Sequence, residues 1–286
     1  MIPILTIYAF FLLAILLSLA YFRRFRMPQP PLGVMNLWDV ALTMIVIVFI
    51  PYLHLVLPGW ANTVFLSLLT ASLFYFVLEP IIAARAGRWL VALALMGIGV
   101  AAAYLLPEGG IAYTAINDAL ILLSIVAISN LWAQSGVRAR DLVILALAIA
   151  VYDFIFTGRL PVTADLFAQL DNLPFAPLLA WGLGAEQVAI GLGDTLMASA
   201  FVLVLYKAWG RNAGALGFVA MALSFPLLFS LPALGGIFLT AVFPAMVVIA
   251  PLQLLVYLYC RRRYGRERTM REFRQGQIIE PPIQRI

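Results

Sequence analysis

The chain has 286 residues, 64% of them hydrophobic and 11% charged, with a mean hydropathy of +1.04 and a formal net charge of +5. Soluble domains carry about 25% charged residues, so this chain has too little polar surface to cover a water-soluble globule. The one cysteine, Cys260, excludes an internal disulfide framework. The one histidine, His54, has no second His, Cys or carboxylate cluster beside it and reads as structural rather than as a metal ligand. No metal, no other cofactor and no nucleic acid partner is implied.

Long apolar runs recur along the whole length. Each is about long enough to cross roughly 30 Å of hydrocarbon. They are continuous rather than alternating with period two, which selects helices over a barrel. The predicted fold is all-α, with nine transmembrane helices at 2–22, 38–57, 61–79, 89–106, 112–133, 142–158, 187–206, 213–233 and 238–260. The first run lacks a basic region before it and a small-residue cleavage site after it, so it reads as a retained helix rather than a signal peptide. Gly235 and Gly236 are taken as the break between the last two spans. Residues 1–260 form a single helical domain in this reading, and 261–286 a basic tail lying on anionic lipid.

Charge orients the spans. Arg23, Arg24 and Arg26 follow span one, Arg85 and Arg88 span three, Arg138 and Arg140 span five, and Lys207 and Arg211 span seven. Eight further arginines follow span nine, whereas Arg159 alone falls on the other side. The basic side is cytoplasmic by the positive-inside rule. The N-terminus is then outside and the C-terminus inside. The expected location is an integral, multi-pass one, in the plasma membrane of a prokaryote.

Ionisable residues inside membrane helices are expensive and usually functional. Most acids avoid that cost: Asp39, Glu108, Asp141 and Glu186 sit at predicted span ends, and Glu79 and Asp118 are near ends. Asp153 in span six and Asp194 in span seven remain well inside. Counting about 1.5 Å per helical residue from each entry point puts both roughly 12 Å from the outer face. Two neighbouring carboxylates share a proton, and one then serves as general base for water while the other is a general acid. That chemistry suits hydrolysis of a peptide bond without a metal. No HExxH or GxSxG competes with it.

Tyr152-Asp153 and Gly191-Leu192-Gly193-Asp194 resemble the YD and GxGD motifs of the presenilin and signal peptide peptidase family of intramembrane aspartyl proteases. The resemblance extends to nine spans with the motifs in the sixth and seventh. It implies Asp153 and Asp194 as catalytic residues, and transmembrane helices or remnant signal peptides as substrates. The N-out orientation resembles signal peptide peptidases and is opposite to presenilins. The family also carries a Pro-Ala-Leu motif at the start of the ninth helix, which shapes the active site. Pro244-Ala245-Met246, counted about six residues into span nine, is preferred on depth as its equivalent, with substrate positioning as the implied role. Pro232-Ala233-Leu234, at the outer end of span eight, is the alternative.

Residue type suggests roles in support. Gly191 and Gly193 remove side chains beside Asp194, so that an extended substrate can approach. Tyr152 offers a hydroxyl and a ring beside Asp153. A substrate helix must unwind locally before attack, and an extended segment can then pair by strand addition. The proline-bearing loop around 159–180 is a candidate gate, expected to be little ordered without substrate. Three other readings use the same residues: a proton-coupled transporter, a prepilin-peptidase-like GxGD protease, and a non-catalytic membrane chaperone.

Overall fold

A computed structural model describes residues 2–27, 37–107, 109–170, 173–182, 188–230 and 244–276. The long helices are α1 (Ile2–Arg24), α2 (Leu37–Val56), α3 (Gly59–Leu78), α4 (Arg85–Leu105), α5 (Ile111–Ser135), α6 (Ala139–Phe156), α8 (Leu192–Trp209), α9 (Arg211–Ser230) and α10 (Met246–Tyr264). Two short helices, α7 (Val162–Leu170) and α11 (Met270–Arg274), and two strands, β1 (Leu178–Trp181) and β2 (Val188–Gly191), complete the described structure.

Among the described residues, 7 helices are long and apolar enough to cross a membrane: α1 to α5, α8 and α9. The charged side chains of Arg140, Asp141 and Asp153 keep α6 out of that set, and those of Arg261, Arg262 and Arg263 keep α10 out. Large apolar side chains line the outer faces, among them Leu42, Ile45 and Phe49 on α2 and Leu90 and Leu93 on α4. Water would not tolerate such continuous exposed apolar helix faces, whereas hydrocarbon does. The chain is a multi-pass integral membrane protein.

The chain forms two compact units, each built from separated stretches. The first comprises 1–28, 49–130 and 162–199. Its core joins Leu66 and Phe74 of α3, Ala92 of α4, Leu120 of α5, and Leu170 and Phe175 after the sixth helix. Phe175 holds a left-handed φ of 61°, and its ring lies where a side chain at Gly99 would be, which makes that glycine obligatory for close packing. Buried polar bonds add specificity where lipid offers no hydrophobic drive. The Tyr21 hydroxyl donates to the Val77 carbonyl at 2.6 Å, and Asn130 Nδ2 to the Ser18 carbonyl at 3.1 Å. His54 is buried as a structural residue: its Nδ1 lies 2.7 Å from Asn62 Oδ1.

The second unit comprises 29–48, 131–161 and 200–286. Here α10 packs on both α6 and α9. Gly214 and Gly217 on α9 let that helix close onto Tyr206 and Leu205 of α8, since an added methyl would come within 3 Å of either side chain. Lys207, in the last turn of α8, is buried and donates to the Val137 carbonyl.

Three expectations from sequence change. Span seven does not begin as a helix at 187: residues 188–191 are a strand, and α8 starts at Leu192. Span nine, expected from 238, is helical from Met246, and Pro244 and Ala245 precede the helix rather than lying inside it. The loop around 159–180 carries α7 and β1. Asp118, near a predicted span end, is buried within the protein, at 1% exposure. Pro232-Ala233-Leu234 and the break at Gly235-Gly236 lie outside the described residues.

Candidate active site

Asp153 occupies the last turn of α6, where the helix gives way to Thr157. Its Oδ2 accepts the backbone N–H of Met246 at 3.0 Å, and the Thr157 side chain also bonds to the carboxylate. Met246 is the first residue of α10, so its N–H has no partner within that helix. The carboxylate of α6 thus satisfies an orphan donor of α10, and the Pro244-Ala245-Met246 segment is tied to Asp153. Tyr152 stacks its ring on Phe156, one turn on, with centroids 4.7 Å apart.

Asp194 belongs to the other unit and is held differently. It lies in the first turn of α8, directly after β2. β2 pairs antiparallel with β1 in a two-stranded sheet, with Leu178 opposite Gly191 and Trp181 opposite Val188. Trp181 meets Phe10 of α1 edge to face, at 5.8 Å between centroids. Behind the hairpin, α5 supplies the anchors. Asp118 Oδ1 accepts the Ala180 N–H at 3.0 Å, and Asn117 Nδ2 donates to the carbonyls of Ala176 and Leu178 at 3.2 and 3.3 Å. Short strands in a membrane protein need such partners, because unpaired backbone groups in hydrocarbon are costly.

The two glycines before Asp194 do different things. A methyl on Gly191 would sit 2.9 Å from Asp194 Oδ2, so this glycine makes room for the catalytic candidate itself. A methyl on Gly193 would meet no described atom within 4 Å. Gly193 is exposed. Thr195, next along, hydroxyl-bonds the Gly191 carbonyl at 3.3 Å and closes the strand-to-helix turn.

The second unit therefore brings together Tyr152, Asp153 and Pro244–Met246. The first brings together Gly191, Gly193 and Asp194. The depth of Asp194 counted by helical rise does not apply, because the residues leading to it are extended. The sequence placed Asp118 near a span end without giving it a role, and gave no sign of Asn117 beside it.

No family model matches the chain, and no curated protein matches it significantly in sequence. A solved structure does match in fold: a presenilin-family intramembrane aspartate protease, at a TM-score of 0.58 and 18% identity. The match covers 90% of this chain and 98% of that one. The two chains share a fold along nearly their whole lengths.

Proposed function

We propose that this chain is an intramembrane aspartyl protease of the GxGD type, with Asp153 and Asp194 as its catalytic pair. In this reading the chain crosses the bilayer nine times, α6 and α10 included, with its N-terminus outside and its C-terminus in the cytoplasm. The observation that carries the proposal is the bond from the Met246 N–H to Asp153. It links a Pro-Ala motif at the start of a late helix to the aspartate of a Tyr-Asp motif, and so joins two of the segments that the resemblance assigns to one site. The shared fold supports the same reading.

The chemistry follows from two carboxylates sharing one proton. The ionised member takes a proton from water as the water oxygen attacks the scissile carbonyl carbon. The protonated member gives its proton to the carbonyl oxygen, and a gem-diol forms. Collapse of the gem-diol breaks the C–N bond, with a proton delivered to the leaving nitrogen. The substrate is a transmembrane segment or a remnant signal peptide, unwound locally so that its peptide bonds are accessible. The small sheet of β1 and β2 offers an edge to which an extended segment can add, next to Gly193.

The test is reconstitution of the purified chain with a generic transmembrane substrate, beside Asp153→Ala and Asp194→Ala. Cleavage by the wild type and loss of at least 1000-fold in each variant is the expected outcome, on the scale of removing a group essential to the chemistry. Cleavage that persists in either variant overturns the dyad. Cysteine labelling of each terminus from either side tests the orientation, and a cytoplasmic N-terminus would refute it.

A further inference from the structure

The most strongly charged feature of the second unit lies at the opposite end of α6 from Asp153. A cavity of about 1040 Å³ opens where the start of α6, the end of α10 and the segment after α10 meet. Seven arginines line it, against one carboxylate, that of Glu267. Glu267 is already engaged: its two oxygens accept the N–H groups of Ala139 and Arg140 at 2.8 and 3.2 Å, capping α6. Its charge is thereby committed to a helix start, and the arginines keep a large positive excess.

The cavity is built rather than being a passing arrangement of a basic tail. Gly265, at φ 77°, ends α10 and turns the chain back. The Trp209 indole N–H donates to the Gly265 carbonyl at 3.2 Å. Arg268 donates from its backbone N–H to the Ala208 carbonyl at 3.1 Å, and from its guanidinium to Tyr206 and Ala208. The bonds to Ala208 occupy a carbonyl of the last turn of α8, where the helix offers no N–H of its own. Thr269 and Glu272 then form a capping box that starts α11.

Some of the lining arginines have internal work: Arg140 pairs with Asp141, Arg261 with the Tyr257 hydroxyl, and Arg266 with Glu272. Arg138 and Arg271 are exposed and have no carboxylate partner among the described residues. Arginine forks match phosphate oxygens in pairs, more specifically than lysine does. Within the two turns before Arg261, α10 exposes Leu255, Leu258 and Tyr259, an apolar surface beside the charged cavity.

We propose that this cavity is a binding site for a phosphate-bearing anion, with Arg138 and Arg271 as its principal ligands. The adjoining apolar face of α10 fits the acyl chains of an anionic phospholipid, and a free phosphate satisfies the same arginines without them. This inference stands apart from the protease reading.

The full-length protein in detergent is titrated with phosphatidylglycerol, with phosphatidylcholine and with inorganic phosphate, and bound species are counted by native mass spectrometry. Arg138→Gln/Arg271→Gln is compared with the charge-matched Arg23→Gln/Arg85→Gln. The expected result is at least tenfold weaker phosphatidylglycerol or phosphate binding in the first variant, and a change below twofold in the second. Preference for phosphatidylglycerol over both other probes assigns a lipid headgroup, whereas equal response to inorganic phosphate assigns a free anion. Equal losses in both variants, or no loss in either, overturn the site. If the double variant misfolds, Arg271→Gln alone on the exposed α11 serves in its place, with a loss of at least threefold expected and an unchanged affinity overturning the site.

Discussion

Asp153 and Asp194 are the same side chain held by opposite strategies. Asp153 ends a helix and, besides its bond to the nearby Thr157 side chain, accepts a backbone N–H that lies 93 positions further along the chain. Asp194 begins a helix, and Gly191 three residues earlier vacates the space its carboxylate fills. A local arrangement is encoded in a short motif and survives rearrangement elsewhere. A distant one depends on the docking of a separate helix, so it can be made or broken without any change near the aspartate. The GxGD side carries its clearance in a short motif, and the Tyr-Asp side draws one of its bonds from α10.

The largest expected effect that separates the two sides comes from Gly191→Ala. The new methyl must displace the Asp194 carboxylate, and cleavage should fall at least 100-fold. Thermal unfolding should nevertheless move by no more than about 1 kcal/mol, since the displaced atom is the end of a side chain. Gly193→Ala meets no described atom and should leave stability nearly unchanged. Its effect on cleavage measures how closely the substrate passes, and an intact rate would show that Gly193 has no part in access.

Next in size is the conditional side. Replacing residue 246 by its α-hydroxy acid converts the Met246 N–H into an ester oxygen and deletes the donor to Asp153 alone. A bond to a charged group is worth roughly 1.5–3 kcal/mol, so cleavage should drop by about tenfold or more while α10 remains folded by circular dichroism. An unchanged rate would mean that this bond does not hold Asp153 for catalysis. Asp118→Ala removes the hairpin's anchor and should cost about 1–3 kcal/mol of stability, with a parallel loss of cleavage. Asp118→Asn keeps an acceptor for Ala180 and should recover most of both.

The smallest effect lies in the tail. Arg266 and the Thr269 N–H hold the Glu272 carboxylate down at about 2. A depressed carboxylate adds stability above its ordinary range and loses it as pH falls towards the folded value. The α11 cap should therefore weaken between about pH 4.5 and pH 2, visible as a carboxyl carbon shift by NMR. High salt should shrink the effect, because the group is exposed.

The sequence was legible where a single helix carried the signal. Span six was expected at 142–158 and α6 runs from Ala139 to Phe156, with Asp153 inside the apolar pattern. Span seven misled because Val188, Ala189 and Ile190 are apolar in a strand and in a membrane helix alike. Their state is decided by pairing with Leu179 and Ala180 and by Asp118, 62 positions before Ala180, which no local pattern reports. The start of α10 was obscured in the same way: an unbroken apolar run conceals that Pro244 and Ala245 stand outside the helix. Asp118 was missed because a carboxylate near a span end reads as solvated until its partner is seen.

One buried side chain has a practical consequence. Lys207 is the sole lysine of the chain, and it lies sealed against the Val137 carbonyl, just as the sole cysteine, Cys260, is fully enclosed. Amine- and thiol-directed reagents therefore find neither side chain while the second unit holds together. Every introduced cysteine can be read against a dark background without first removing a native one. Sudden reactivity at position 207 or 260 becomes a clock for the opening of that unit, and needs no engineered reporter at all.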